Sequence, residues 1–345
     1  MDLPLELTVE LPGGWSSGVP VDADVEALTA LLQRHEQHVR GWAGSTADAV
    51  RVEVVDPGGT RDNVVLRDAA GLPRGWATAH DRAAGRMVLS LVVDHDLPDD
   101  LADRVADALL AWGDRAAVAI GAARGLRTQQ IDTGAFAGDA RQQRWLLRGG
   151  FEKVRTWWQM SRPVEPAEAD LDAEVREGVR VRRVRQEGAG MPDTEDLRAV
   201  HDVLESAFAD HFNSHEETFD EFLGRLGEDP GHRWDHWWLA ELTDGDGAEP
   251  AGALVASASP ASGPGEVDGS YVDYLGVLQS ARGRGVAKSL LRTVVADAAA
   301  RGRDRVGLEV DADSPTGADG LYLAMGWATS YVTESWHRSV ACAPR

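Results

Sequence analysis

Apolar residues recur with two different periods along this chain, and the switches between the periods mark out its elements. In the second half Val179–Arg185 alternates as a strand does, whereas Thr194–His211 and Thr218–Leu226 space their apolar residues three and four apart, as a helix face requires. Trp234–Leu242 and Ala251–Ser257 return to strand patterning on either side of the turn-rich segment DGDGAEP. Ser270–Leu278 is predicted as a strand and Gly285–Arg301 as an amphipathic helix stopped by Gly302. Arg305–Asp311 follows as a strand, Ala318–Met325 as a short helix closed by Gly326, and Trp327–Val340 as extended chain. Strands alternating with helices predict an α/β fold, an α+β mixed sheet.

The first half repeats the end of this pattern. Met87–Asp94 reads as a strand, Asp99–Arg124 as a helix ending at Gly125, and Leu126–Asp132 as a strand. Ala140–Arg148 then reads as a short helix closed by Gly149-Gly150, and Phe151–Met160 as extended. Gly125 and Gly150 lie 25 positions apart, Gly302 and Gly326 lie 24 apart, and ARG precedes both inner strands. This self-similarity predicts two copies of one fold. Between them Ser161–Gly178 is rich in proline and carboxylates and poor in apolar residues, as a linker is. The expected division is therefore 1–160, a linker at 161–178, and 179–345.

Composition narrows the function. The chain has 345 residues with 35 Lys and Arg against 57 Asp and Glu, a formal charge of −22. That balance argues against nucleic acid as a partner, because phosphates need a basic face, and it favours cationic small molecules. No apolar run is long enough to span a membrane. The first residues show no basic-then-apolar signal, and the single cysteine, Cys342, cannot form an internal disulfide. The expectation is a cytoplasmic protein with no membrane partner; oligomeric state is not legible. Cys342 is expected in a frayed tail, and tryptophans such as Trp237, Trp238 and Trp327 in the core.

Against this acidic background Tyr274–Ala296 holds four cations (Arg282, Arg284, Lys288 and Arg292) and no carboxylate. A strand leads into a turn bearing Gly283 and Gly285, and a helix starts there. Amides of a first helical turn have no internal acceptor, and the helix dipole adds partial positive charge, so the turn is a candidate pyrophosphate cradle. A Walker A loop needs glycines where Arg282 and Ala287 stand. A dinucleotide fingerprint needs a third glycine where Lys288 stands, and an earlier strand. The pattern R/Q-x-x-G-x-G/A after a strand is met in full by Arg282, Gly285 and Ala287.

With that motif and the segment LEVDADSPTGADGLYLAMGW at Leu308–Trp327, residues 179–340 resemble the GNAT superfamily of N-acetyltransferases. The first half resembles a second, degenerate copy. The tandem layout, with VRTWWQMSRP closing that copy, is similar to the mycothiol synthase family. The resemblance implies a V-shaped opening between two strands that takes acetyl-CoA as co-substrate, with no metal. Leu275, Gly276 and Val277 would pair through their backbone with the pantetheine arm, one N–H facing the thioester oxygen. Arg282, Gly283, Arg284, Gly285, Val286, Ala287 and Lys288 would hold the pyrophosphate. Ser314 stands where the family often has a pantetheine-contacting Asn, and Tyr322 would sit near the sulfur.

The implied activity is acetyl transfer to the amine of a small molecule by direct attack, with a cationic acceptor in keeping with the charge. An alkyl ammonium of pKa about 10.4 is neutral only about once in 2,500 at pH 7, so deprotonation costs roughly 4.6 kcal/mol unless the site assists. The oxyanion needs an oriented donor worth about 3–4 kcal/mol, and a phenol such as Tyr322 can protonate the departing thiolate. The glutamate common in the family is Tyr271 here, a departure that counts against the mycothiol synthase family. Asp273, two positions on along one strand face, is the candidate base, with an ion-pair role as the alternative. The missing glutamate also leaves open a non-catalytic acyl-CoA-binding or regulatory protein. His211, His215, Glu216 and Glu217 read either as a solvated loop or as acceptor contacts. In the first copy the aligned stretch DHDLPDDLADRVAD has six aspartates and no glycine, so it is expected to bind no CoA.

Overall fold

A computed structural model describes residues 11–342 except 56–58, 83–85, 171–176, 187, 189, 210–216, 244–246, 262–266 and 314–316. The chain forms two compact units. Unit 1 comprises Met1–Trp158, Asp311–Asp313 and Tyr331–Arg345; unit 2 comprises Gln159–Val310 and Ser314–Ser330.

The elements, in chain order, are β1 (Ser16–Gly18), α1 (Val25–Arg40), α2 (Ala47–Val55), β2 (Arg61–Arg67), β3 (Pro73–Arg82) and β4 (Arg86–Val93), then α3 (Asp99–Ala123), β5 (Thr128–Phe136), α4 (Ala140–Arg148) and β6 (Glu152–Pro163). They continue as β7 (Val179–Arg183), α5 (Thr194–Phe208), α6 (Phe219–Gly227), β8 (His232–Leu242), β9 (Glu249–Ser259) and β10 (Gly269–Val277), then α7 (Val286–Ala300), β11 (Arg305–Asp311), α8 (Ala318–Ala324) and β12 (Ala328–Ala341). Among the described residues no helix is long and apolar enough to cross a membrane.

In unit 1 the strand order is β1-β2-β3-β4-β5-β12. All neighbours run antiparallel except β4 and β5, which are parallel from Arg86↔Gln130 to Leu89↔Thr133. The long helix α3 lays Val105, Leu109, Trp112, Ala116 and Ile120 on this sheet, in a core with Leu66, Leu89 and Ile131. Burying a side chain of that size contributes about 1.5–3 kcal/mol each. In unit 2 the order is β6-β11-β10-β9-β8-β7. There α5 and α6 pack Leu197, Val200, Leu204 and Phe222 against Trp237, Leu239, Ala253 and Val255 on one sheet face. Trp237, Trp238 and Trp327 are all buried, as expected.

The internal repeat is visible in the backbone. β4-α3-β5-α4 and β10-α7-β11-α8 follow the same order, and the glycines that close the helices, Gly125, Gly150, Gly302 and Gly326, all have left-handed φ between 69° and 89°. One difference is decisive for the division of the chain. The strand after α8 runs into unit 1, where Thr333–Ala341 pair antiparallel with Phe136–Thr128 of β5, whereas β6 ends in unit 2. The chain passes from unit 1 to unit 2 at Trp158/Gln159 and returns to unit 1 at 311–313 and from Tyr331 onward. Composition marks where a chain is polar; it carries no information on which sheet a strand joins.

Two expectations are corrected. The segment 161–178 is not all linker: β6 extends to Pro163, Pro166–Asp170 form a short 3-10 helix, and Val164 N–H donates to Asp304 O at 2.8 Å. Cys342 is not frayed: it is 5% exposed, its N–H donates to Arg127 O at 2.9 Å, and its sulfur lies against Gly121.

Candidate active site

The site grows from a mismatch between the two flanks of β10. Against β9 the strand is paired through Leu275↔Leu254, Gly276↔Ala253 and Val277↔Gly252. Against β11 its parallel pairing covers Ser270↔Val306 to Val272↔Leu308. Among the described residues, Leu275, Gly276 and Val277 thus have ladder partners on one side only. On the other flank no described strand pairs with them, and an extended arm could add there as a strand. Gly276 sits at a close approach on this stretch: a Cβ there would meet Leu204 Cδ2 at 2.8 Å and Ala207 Cβ at 3.0 Å.

The parting begins at a β-bulge. Val272 pairs with Ala256 and Tyr274 with Val255, so Asp273 is the extra residue. Ser257, opposite Tyr271, donates from Oγ to Asp273 Oδ1 at 3.2 Å. This is consistent with the expectation that Tyr271 and Asp273 share a face. Burial pushes the Asp273 carboxyl up to about 7, with the negative charge of Asp229 adding to the shift and Ser257 and Arg225 opposing it. At neutral pH the group is therefore poised between acid and base, which suits proton abstraction.

The bulge also turns Tyr274 toward α6. Its OH accepts from Arg225 Nη1 at 2.7 Å, and Arg225 holds Glu217 with a two-pronged ion pair at 2.8 and 2.6 Å. Glu217 is thus neither a solvated loop residue nor a free acceptor contact. Tyr271, at the position of the expected glutamate, donates to Gln159 Oε1 at 3.3 Å, and Gln159 in turn donates to Glu309.

Beyond β10, Gln279–Ala281 form a short 3-10 turn, Arg282 is extended, and Gly283 and Gly285 adopt φ of +77° and +85°. Gly285 caps α7 and no side chain completes the cap. First-turn amides of Val286, Ala287 and Lys288 accordingly have no acceptor within the helix. Arg282 and Lys288 are exposed beside them, and Val286, Leu290, Leu291 and Val294 anchor the helix in the core. This arrangement can bind an anion with several charges.

Tyr322 lies on α8, 9% exposed, with its ring 6.2 Å from that of Trp327. Burial raises its hydroxyl to about 12, so it stays protonated at neutral pH. Asp273 and Leu275–Val277 lie on β10, and the Arg282–Lys288 turn follows it and opens α7. Ser314, His211, His215 and Glu216 lie outside the described residues. Sequence reading missed Ser257, Arg225 and Asp229, because they neighbour Asp273 only through the folding of β9 and α6.

The corresponding stretch of unit 1 is different. Asp94, 2% exposed, accepts from Arg34 at 3.3 Å and Arg74 at 2.9 Å, and Asp103 and Asp107 pair with Arg148. Helix α3 opens with Asp99 and Asp100, which repel an anion.

Comparison with known proteins bears on the fold. Residues 197–327 match the acetyltransferase (GNAT) family model. No curated protein sequence matches the chain. Among solved structures, a GCN5-related N-acetyltransferase from Sphaerobacter thermophilus superposes with a TM-score of 0.72 at 23% identity, over 96% of this chain and 98% of its own. A tandem GNAT protein from the clavulanic acid biosynthesis pathway gives 0.70 at 12% identity, over 95% and 99%. The N-myristoyltransferase of Saccharomyces cerevisiae, solved with myristoyl-CoA and inhibitors, gives 0.59 at 13% identity, over 98% and 83%. These likenesses establish the fold, one shared with tandem GNAT proteins.

Proposed function

Proceeding from a tandem GNAT fold whose second copy carries the family match, we propose that unit 2 transfers acetyl from acetyl-CoA to the amine of a small molecule. The observation that carries this reading is the parting of β10 from β11 immediately before an uncapped, cation-flanked helix start. The backbone of Leu275–Val277 would hold the pantetheine arm and orient the thioester, and the turn from Arg282 to Lys288 would hold the pyrophosphate. Acetyl-CoA supplies the activated acyl group. Asp273, in its ionised form, takes a proton from the entering ammonium, directly or through water. An amide of the Leu275–Val277 stretch faces the developing oxyanion. Tyr322 keeps its proton until the thiolate departs and donates it there. Asp229 and Asp273 make the entry acidic, which suits a cationic acceptor.

The alternative, a non-catalytic acyl-CoA-binding protein, draws support from Tyr271, whose hydroxyl is committed to Gln159. A thiol-release screen of acetyl-CoA against aminoglycosides, polyamines and amino sugars, with mass analysis of products, separates the two. Turnover with at least one amine is expected; tight CoA binding with no turnover on any amine would establish the alternative. Unit 1 is proposed to bind no CoA.

A further inference from the structure

In unit 1 the ends of β4 and β5 also part, since their parallel pairing among the described residues stops at Leu89↔Thr133. What stands at those ends is a cluster of nitrogen and oxygen donors. His95 follows β4, Asp139 caps the start of α4 after β5, and His35 reaches them from α1. His35 Nδ1 and His95 Nε2 share a hydrogen bond at 3.0 Å, which an ion between them would replace, and Asp139 Oδ2 lies 4.0 Å from the first and 3.9 Å from the second. The point equidistant from these three atoms is about 2.1 Å from each, the length of a Zn–N or Zn–O bond.

The cluster is also incomplete as it stands. The Asp139 side chain is 3% exposed, yet Oδ2 has no hydrogen-bond partner, and neither does His95 Nδ1. A buried carboxylate oxygen left unpaired costs several kcal/mol unless a cation or donor meets it. Its other oxygen is fixed: Oδ1 accepts from Gln142 N at 3.0 Å, which aims Oδ2 inward. Arg141 holds the loop carrying His95 by donating to the carbonyls of His95 and Leu97. His38, exposed, stacks on His95 with ring centroids 4.0 Å apart.

We propose that His35, His95 and Asp139 bind a first-row divalent transition-metal ion, with a fourth position open to water. Two imidazoles and one carboxylate select such an ion over Mg²⁺, which prefers oxygen ligands. The family resemblance implied no metal, and these three residues, 60 and 44 positions apart in sequence, form no spacing motif. The ion would close unit 1 where unit 2 opens for its co-substrate, and it does not depend on unit 2 being an enzyme.

The test is calorimetric titration of the untagged, chelator-stripped full chain with Zn²⁺, with Mg²⁺ in parallel and Co²⁺ absorption as a report on geometry. One Zn²⁺ per chain is expected, with no Mg²⁺ binding. His95→Gln and Asp139→Asn, the latter keeping the helix cap, are expected to weaken Zn²⁺ at least about a hundredfold, whereas His201→Ala leaves it unchanged. A Zn²⁺-dependent rise in the melting temperature of the unaltered chain gives a readout that needs no variant. No Zn²⁺ binding, or equal binding by all three variants, overturns the assignment.

Discussion

At the scale of single residues, the proposed reaction rests on two groups, and each makes a separable prediction. Tyr322→Phe removes only a proton donor, so kcat is expected to fall about 10²-fold with acetyl-CoA affinity retained; steady-state kinetics beside a binding titration check this. Asp273, with its carboxyl raised to about 7, acts as base only when ionised. The rate should therefore climb as pH rises toward 7 and level above it, and Asp273→Asn should lose that limb. The same shift has a stability consequence. A carboxyl raised on folding binds its proton more tightly in the folded chain, so stability is lost as pH rises from about 4, its unfolded value, through about 7. Melting temperatures measured at pH 5 and pH 8 should show Asp273→Asn gaining relative to the parent chain at the higher pH; an equal difference at both would contradict the shift. Asp273 was legible in the sequence as a candidate base on β10. Its bulge, and the neighbours Ser257, Arg225 and Asp229 that set its protonation, were not, because they lie 16 to 48 positions away.

At the scale of elements, α7 and the turn before it were the most legible part. Gly283, Gly285 and the surrounding cations declare themselves locally, and the helix bounds of 286–300 differ from the sequence expectation by one residue at each end. Gly285 holds φ +85°, so Gly285→Ala should cost about 1–2 kcal/mol and distort the first-turn amides. Chemical denaturation measures the first effect and acetyl-CoA titration the second; an unchanged affinity would mean that these amides do not carry the anion. Helix α1, by contrast, received no expectation, although it contributes His35. Its role depends on β4 and β5 parting nearby, a relation that no local spacing encodes.

At the scale of the whole molecule, the tandem repeat was readable from paired glycines, and the exchange of final strands was not. Strand β12 follows unit 2 in sequence yet completes the sheet of unit 1. Removing residues 331–345 should therefore unmask the edge of β5 and leave unit 1 prone to aggregation, which light scattering of the truncated chain would show; a monodisperse, fully folded product would refute the pairing. The two units also diverge in charge at equivalent helix starts, cationic at α7 and acidic at α3. The central claim, that one of the two copies grips the diphosphate of a coenzyme, is tested most directly by titrating acetyl-CoA into the full chain and into Arg282→Ala/Lys288→Ala. One site per chain, weakened at least about tenfold in the double variant, is the predicted result; two sites, no site, or an affinity indifferent to those cations would contradict it.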